Sequence, residues 1–205
     1  MKYKQIVFDV DGTLLNTEYC IIRALQDTLL EWTGREVPAQ ELVFVLGIPG
    51  LASARQMGIE NEEAFLARWE ENLLSYAHTI RAYEGIEALV GKLHDLGYEL
   101  GIVTSMNRCE FLEDAHRIPL RQYFSTVICA DDTVKHKPDA EPLLKYMERT
   151  GTMAKELLYI GDSKYDGQCA AGAGVDFALA MWGTHDEIIP AKFRPVQPME
   201  LLQYL

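Results

Sequence analysis

At 205 residues the chain has material for one hydrophobic core, or for one core carrying a small inserted domain. Its composition, 48% hydrophobic and 24% charged, is that of an ordinary globular protein. A formal net charge of −12 argues against a nucleic-acid or anionic-membrane surface, since both need clustered Lys and Arg, but it leaves room for a small anionic substrate held by a metal and a few local cations.

Residues 1–5 lead directly into the first strand pattern, with no apolar leader and no run of about 18 apolar residues, so the chain reads as cytoplasmic and free of membrane. Cys20, Cys109, Cys129 and Cys169 are scattered and form no C-x-x-C pair, as reduced structural thiols would be.

The apolar run Ile6-Val7-Phe8 enters Asp9-Val10-Asp11-Gly12-Thr13-Leu14, a buried strand ending in two carboxylates and a glycine turn. Strand alternation sends Asp9 and Asp11 to the same side, where both stay ionised only beside a cation. Mg²⁺ suits hard oxygen ligands at this spacing; the competing reading is an Asp-Gly hairpin turn. Helical spacing follows over residues 17–32 with Gly34 as the stop, then over 39–46 until Gly47-Ile48-Pro49-Gly50 breaks it, then over 61–78 with Asn61 as N-cap. No strand pattern interrupts residues 16–80. They are expected to form a helical cap, with residues 1–15 and 81–205 as the core domain and hinges near 15 and 80.

From Gly85 the rhythm becomes helix and strand in turn. Helices are expected at 86–96, 107–116, 140–150 and 164–173, and strands at 98–104, 126–130, 157–161 and 176–180, with a closing helix at 198–205. Such alternation predicts a three-layer Rossmann-like α/β core, a parallel sheet covered on both faces, with ligands collecting at the carboxyl ends of the strands.

Those ends carry chemistry. The first delivers Asp9 and Asp11, the second Thr104 and Ser105, the third is followed by Lys137, and the fourth delivers Gly161-Asp162-Ser163 with Asp166 one turn on. Hydroxyl, lysine and carboxylates together are the parts of a phosphoryl-transfer site. Taken singly, Thr104 also fits an ordinary strand residue, Lys137 a solvated loop charge, and Asp162 with Asp166 a helix cap and a surface acid.

Asp9-Val10-Asp11-Gly12-Thr13, Thr104, Lys137-Pro138 and Gly161-Asp162-Ser163-Lys164-Tyr165-Asp166 resemble the four motifs of the haloacid dehalogenase-like hydrolases. The helical insert after the first motif resembles the phosphoglycolate phosphatase and β-phosphoglucomutase group. The resemblance implies a Mg²⁺-dependent phosphatase acting on a small phosphorylated metabolite. Asp9 would be the nucleophile that becomes an aspartyl phosphate. Asp11 would be the proton donor and acceptor, with a pKa above that of Asp9 and its backbone carbonyl facing the metal. Thr104, Ser105 and Lys137 would bind the phosphoryl group, Asp9 and Asp162 would ligate the metal, and Asp166 would support them from behind. A phosphomutase and a non-catalytic phosphometabolite sensor stand as alternatives, while a dehalogenase is disfavoured because it has no alkoxide for Asp11 to protonate. Glu18, Arg55 and Trp69 are candidate cap contacts; His78, His94, His116, His136 and His185 read as bystanders. Neither substrate nor oligomeric state is legible.

Overall fold

The computed structural model describes residues 2–205. Strand β1 (Gln5–Phe8) ends just before Asp9, and β2 (Leu15–Asn16) pairs antiparallel with β3 (Arg81–Ala82), tying together the two points where the chain leaves and re-enters the core. Between them lie α1 (Glu18–Thr33), α2 (Ala39–Leu42), α3 (Gly50–Gln56) and α4 (Glu62–Tyr76). Then come α5 (Ile86–Asp95), β4 (Glu99–Val103), α6 (Arg108–Asp114), β5 (Phe124–Ile128), α7 (Glu141–Thr150), β6 (Leu157–Gly161), α8 (Lys164–Ala173) and β7 (Asp176–Leu179).

Five strands form a parallel sheet in the order β5-β4-β1-β6-β7. The central position of β1 follows from its sequence, because all four residues are buried and the strand presents an apolar side chain to each face. Ile6 and Phe8 pack with Leu89 and Leu93 of α5 and Phe111 of α6, while Val7 packs with Leu143 and Tyr146 of α7 and Cys169 of α8. The result is the expected three-layer Rossmann-like sandwich. Gly101 of β4 must lack a side chain, since a Cβ there would stand 2.2 Å from the Tyr146 hydroxyl.

The inserted helices have a separate core. Leu25 and Leu29 of α1 meet Phe65 and Trp69 of α4, all buried, and each such side chain stabilises the insert by about 1.5–3 kcal/mol. Asn61 caps α4 by accepting from the Ala64 N–H, and Gly34 ends α1 in the left-handed region at φ 70°. Among the described residues no helix is long and apolar enough to cross a membrane.

Several boundaries differ from those expected. The strand placed at 126–130 runs from Phe124 to Ile128, because the Asp132 carboxylate takes the Cys129 N–H and turns the chain there. The helix placed at 39–46 is the short α2 followed by a 3₁₀ turn, Val43–Val45, and the chain goes extended at Leu46. Gly50 starts a helix that the glycine and proline around it had concealed. Residues Pro198–Tyr204 close the chain as a 3₁₀ helix in place of an α-helix.

Candidate active site

The carboxyl end of β1 is where the charged groups meet. Asp9 is 1% exposed, and its N–H extends the sheet to the Ile160 carbonyl at 2.9 Å. Val7 faces Tyr159 across the ladder, so alternation puts Asp9 and Tyr159 on the same side of the sheet. The chain turns at Gly12 with φ 71°, and only glycine fits, since a Cβ would fall 2.2 Å from an Asp162 carboxylate oxygen. That turn leaves one Asp11 carboxylate oxygen buried without a partner. An orphaned acceptor of this kind is costly unless it serves a ligand or a proton.

Lys137 arrives from the loop between β5 and α7 and is itself buried, 3% exposed. Its Nζ lies 2.9 Å from Asp9 Oδ1 and 2.8 Å from Asp166 Oδ1, and donates to the Tyr159 hydroxyl at 3.3 Å. Tyr159 in turn lies 2.9 Å from Asp166 Oδ1 and 3.0 Å from the Val103 carbonyl. The reading of Lys137 as a solvated loop charge does not survive this burial.

At the end of β6, Ser163 caps α8, accepting from the Asp166 N–H at 3.2 Å, while Asp166 Oδ2 accepts from the Ser163 N–H at 3.0 Å and its hydroxyl at 2.5 Å. Asp162 is therefore not the helix cap. Its carboxylate accepts from the Thr13 hydroxyl at 3.3 Å, and carboxylate oxygens of Asp9, Asp162 and Asp166 all lie within 4.8 Å of one another. Three carboxylates against one ammonium leave two negative charges, which a divalent cation would balance; the donors are hard oxygens, as Mg²⁺ requires. Cys129, Asp131 and Asp132 also lie close together, but Asp132 is taken by Arg108 and Arg149.

Electrostatics follow from this crowding. Burial pushes Asp9 up to about 8, opposed by Lys137 and reinforced by Asp166 and Asp11. Burial pushes Asp11 up to about 6, opposed by a hydrogen bond from Thr17. Burial, then Asp166 and Asp9, hold Asp162 well above the usual carboxylate range. Burial alone would lower Lys137, but Asp166 and Asp9 reverse it and keep the ammonium charged. Without a cation in the site Asp9 stands above Asp11, whose rise is opposed by the Thr17 hydroxyl, whereas the expected order of Asp11 above Asp9 belongs to the metal-loaded site.

Thr104 directly follows β4, 3% exposed, with its hydroxyl accepting from the Met106 N–H at 3.2 Å. The Ser105 hydroxyl, expected to hold phosphate, donates instead to the Gly47 carbonyl at 3.0 Å. Glu18 lies on the cleft and is bound 2.8 Å away by His185, which sequence reading had set aside. Arg55 is paired with Glu62 at 2.6 Å, and Trp69 is buried within the insert, its indole N–H donating to the Ile21 carbonyl, so neither lines the cleft. Tyr159 and Thr17 carry no role in the sequence reading, and Ser163 appears there within its motif without one. The one available signal was a tyrosine inside an otherwise aliphatic strand, whose hydroxyl needs a partner when buried.

A family model described as haloacid dehalogenase-like hydrolase matches residues 6–180. The chain is 28% identical over 198 residues to the pyrophosphatase PpaX of Halalkalibacterium halodurans, covering 95% of this chain and 91% of the relative. It is 29% identical over 184 residues to the pyrophosphatase PpaX of Bacillus cereus (strain AH820), covering 89% and 85%. The crystal structure of a provisionally named phosphoglycolate phosphatase from Lactobacillus plantarum matches with a TM-score of 0.90 at 31% identity, covering 100% of both chains. With that extent of match joined to this fold, the chain belongs to the haloacid dehalogenase-like hydrolases and is an enzyme of their phosphatase kind.

Proposed function

We propose that the chain is a Mg²⁺-dependent phosphatase that hydrolyses a small phosphate monoester, of the size of phosphoglycolate, through an aspartyl phosphate on Asp9. The observation that carries this reading is the buried Lys137 set between Asp9 and Asp166, with Asp162 beside them. A surface charge cluster needs no such burial, whereas a nucleophile that must meet an anionic phosphoryl group does.

Asp9 attacks phosphorus, the ester P–O bond breaks, and Asp11 passes its proton to the leaving oxygen. A water then attacks the phosphorus of the aspartyl phosphate, Asp11 takes the proton from that water, and Asp9 is released with inorganic phosphate. Burial raises Asp11 toward neutrality, as an acid that gives and then recovers a proton requires, and its unpartnered oxygen is open to the leaving group, while Lys137 and a bound metal would together hold Asp9 ionised. Lys137 stays charged and offsets repulsion between Asp9 and the incoming phosphoryl group. In this reading the Thr104 hydroxyl, which accepts from the Met106 N–H, would donate to a phosphoryl oxygen, while the N–H groups of Asn107, Arg108 and Glu110 at the start of α6 are taken by the side chains of Glu110, Asp131 and Asn107. Asp9, Asp162 and the Asp11 carbonyl would hold the metal, which when bound supplies charge neutralisation of the transferring group. Both Asp166 oxygens are already engaged by Lys137, Tyr159 and Ser163, so Asp166 positions the lysine and the α8 terminus.

The relatives support a small substrate, since their names specify pyrophosphate and phosphoglycolate, both short anions. Residues 16–80 act in this reading as the cap domain and residues 1–15 with 81–205 as the core, hinged at β2 and β3. The purified protein is expected to hydrolyse an aryl phosphate with Mg²⁺ and to stop in EDTA, and a phosphometabolite panel then ranks the substrates. Metal-dependent phosphate binding without hydrolysis would overturn the reading in favour of a sensor.

A further inference from the structure

The cap segment between α2 and α3 crosses over the core, and core side chains grip it there. The Ser105 hydroxyl donates to the Gly47 carbonyl at 3.0 Å, and the Tyr165 hydroxyl donates to the Phe44 carbonyl at 3.3 Å. Gly47 itself lies flat on the core: a Cβ there would stand 2.9 Å from the Ser163 hydroxyl and 3.4 Å from the Tyr165 ring. Its φ of 89° is in the region that only glycine adopts freely. Each gripping residue follows a strand that ends in site chemistry, Ser105 next to Thr104 after β4, and Ser163 and Tyr165 next to Asp162 after β6. Leu46, between the two gripped carbonyls, lines both the cleft at Asp11 and Asp162 and an outer groove of about 210 Å³ that runs toward Lys164 and His185. The segment therefore borders both the cleft and the groove, and Asp162 opens to each.

We propose that Ser105 and Tyr165 are positioning residues that latch the cap segment Phe44–Gly47 over the cleft at Asp11 and Asp162, and that the latch limits the size of the leaving group. The proposal rests on the phosphatase reading for its selectivity and on the two hydrogen bonds for its mechanics. Because the acceptors are backbone carbonyls, the grip depends on the path of the chain and survives changes in the side chains of the segment. Because the donors sit on the loop carrying Thr104 and in the first turn of α8 just after Asp162, closing the cap and ordering the site are one event, which excludes water while the aspartyl phosphate exists. The cleft beneath the latched segment holds only about 10 Å³, so a short leaving group requires a small lift of the segment and a bulky one a larger lift.

The test is Tyr165→Phe in the full chain with Mg²⁺ present, since this variant removes one hydroxyl and leaves every reacting group in place. Loss of one partly buried hydrogen bond shifts the balance of closed to open cap by about two- to twelve-fold. Hydrogen–deuterium exchange at the amides of residues 44–48 is expected to quicken by that factor. The ratio of kcat/KM for a bulky aryl phosphate to that for a two-carbon phosphate ester is expected to rise by a similar factor. Gly47→Ala, which lifts the segment by steric contact, is expected to move both readouts the same way. Unchanged exchange in both variants overturns the latch whatever the activity, and unchanged selectivity with quickened exchange overturns the size limit. Absence of any phosphatase activity in the wild type overturns the functional reading, and the exchange measurement then decides the latch alone.

Discussion

Replacing Lys137 by methionine removes a charge while keeping most of the side-chain volume. Its Nζ is the cation that the structure places within 2.9 Å of Asp9 and 2.8 Å of Asp166, and all three side chains are at most 2% exposed. Removing one partner of a buried ion pair costs about 3–5 kcal/mol, because the remaining charge is left desolvated and unpaired. For a chain of this length each kcal/mol moves Tm by about 2–4 °C, so the metal-free variant is expected to melt about 6–20 °C below the wild type. Mg²⁺ should recover part of that loss, since Asp9 and Asp162 gain a cation in place of the ammonium. Turnover should still fall by about 10²–10³-fold, the usual consequence of losing one group that neutralises a transition-state charge. Differential scanning calorimetry with and without Mg²⁺, and steady-state kinetics at saturating metal, provide the readouts. A metal-free Tm within about 2 °C of the wild type would refute the reasoning, because it would place the pair below the cost of a buried unpaired charge.

Two further outcomes follow from the same cluster. The pKa values of Asp9 and Asp11 are raised in the folded chain, so it retains protons that the unfolded chain releases near pH 4, and metal-free stability contributed by these groups falls as pH climbs from about 4 to about 8. The pH profile of unfolding free energy should therefore be flatter in Asp9→Asn than in the wild type across that window, and superimposable profiles would contradict the assignment. Gly12→Ala should weaken Mg²⁺ binding at least about tenfold by isothermal titration, because the new Cβ occupies the space of the Asp162 carboxylate and φ of 71° resists a side chain. Unaltered affinity would mean that Asp162 is not a ligand.

What could be read along the chain was local. Three apolar residues before two alternating acids specify a central strand whose polar end faces one side, and the change from uninterrupted helical spacing to alternating helix and strand marks the insert. The partners were not legible, because they depend on which loops the sheet order brings together. Lys137 is 128 residues from Asp9 in sequence, and nothing in Lys135-His136-Lys137-Pro138 shows that one lysine is buried and the other solvated. Beyond burial, the pKa of Asp9 depends on Lys137 and that of Asp11 on Thr17, which no spacing along β1 reveals. Ser105 illustrates the same limit: its place after Thr104 suggests phosphate, while its hydroxyl is bonded to a cap carbonyl 58 residues earlier. Ser163 and Asp166 form a capping box that the sequence could have shown, whereas the competing reading offered Asp162 as the cap and so passed over Ser163.

The central claim is that Asp9 carries the phosphoryl group during turnover. Rapid acid quench of the Mg²⁺-loaded enzyme during hydrolysis, followed by peptide mass spectrometry, tests it most directly. The expected result is one phosphoryl group on the peptide containing Asp9, absent from Asp9→Asn, whose turnover is abolished while its circular dichroism is unchanged. Sustained hydrolysis by Asp9→Asn, or a phosphoryl group trapped on another residue, would contradict the account.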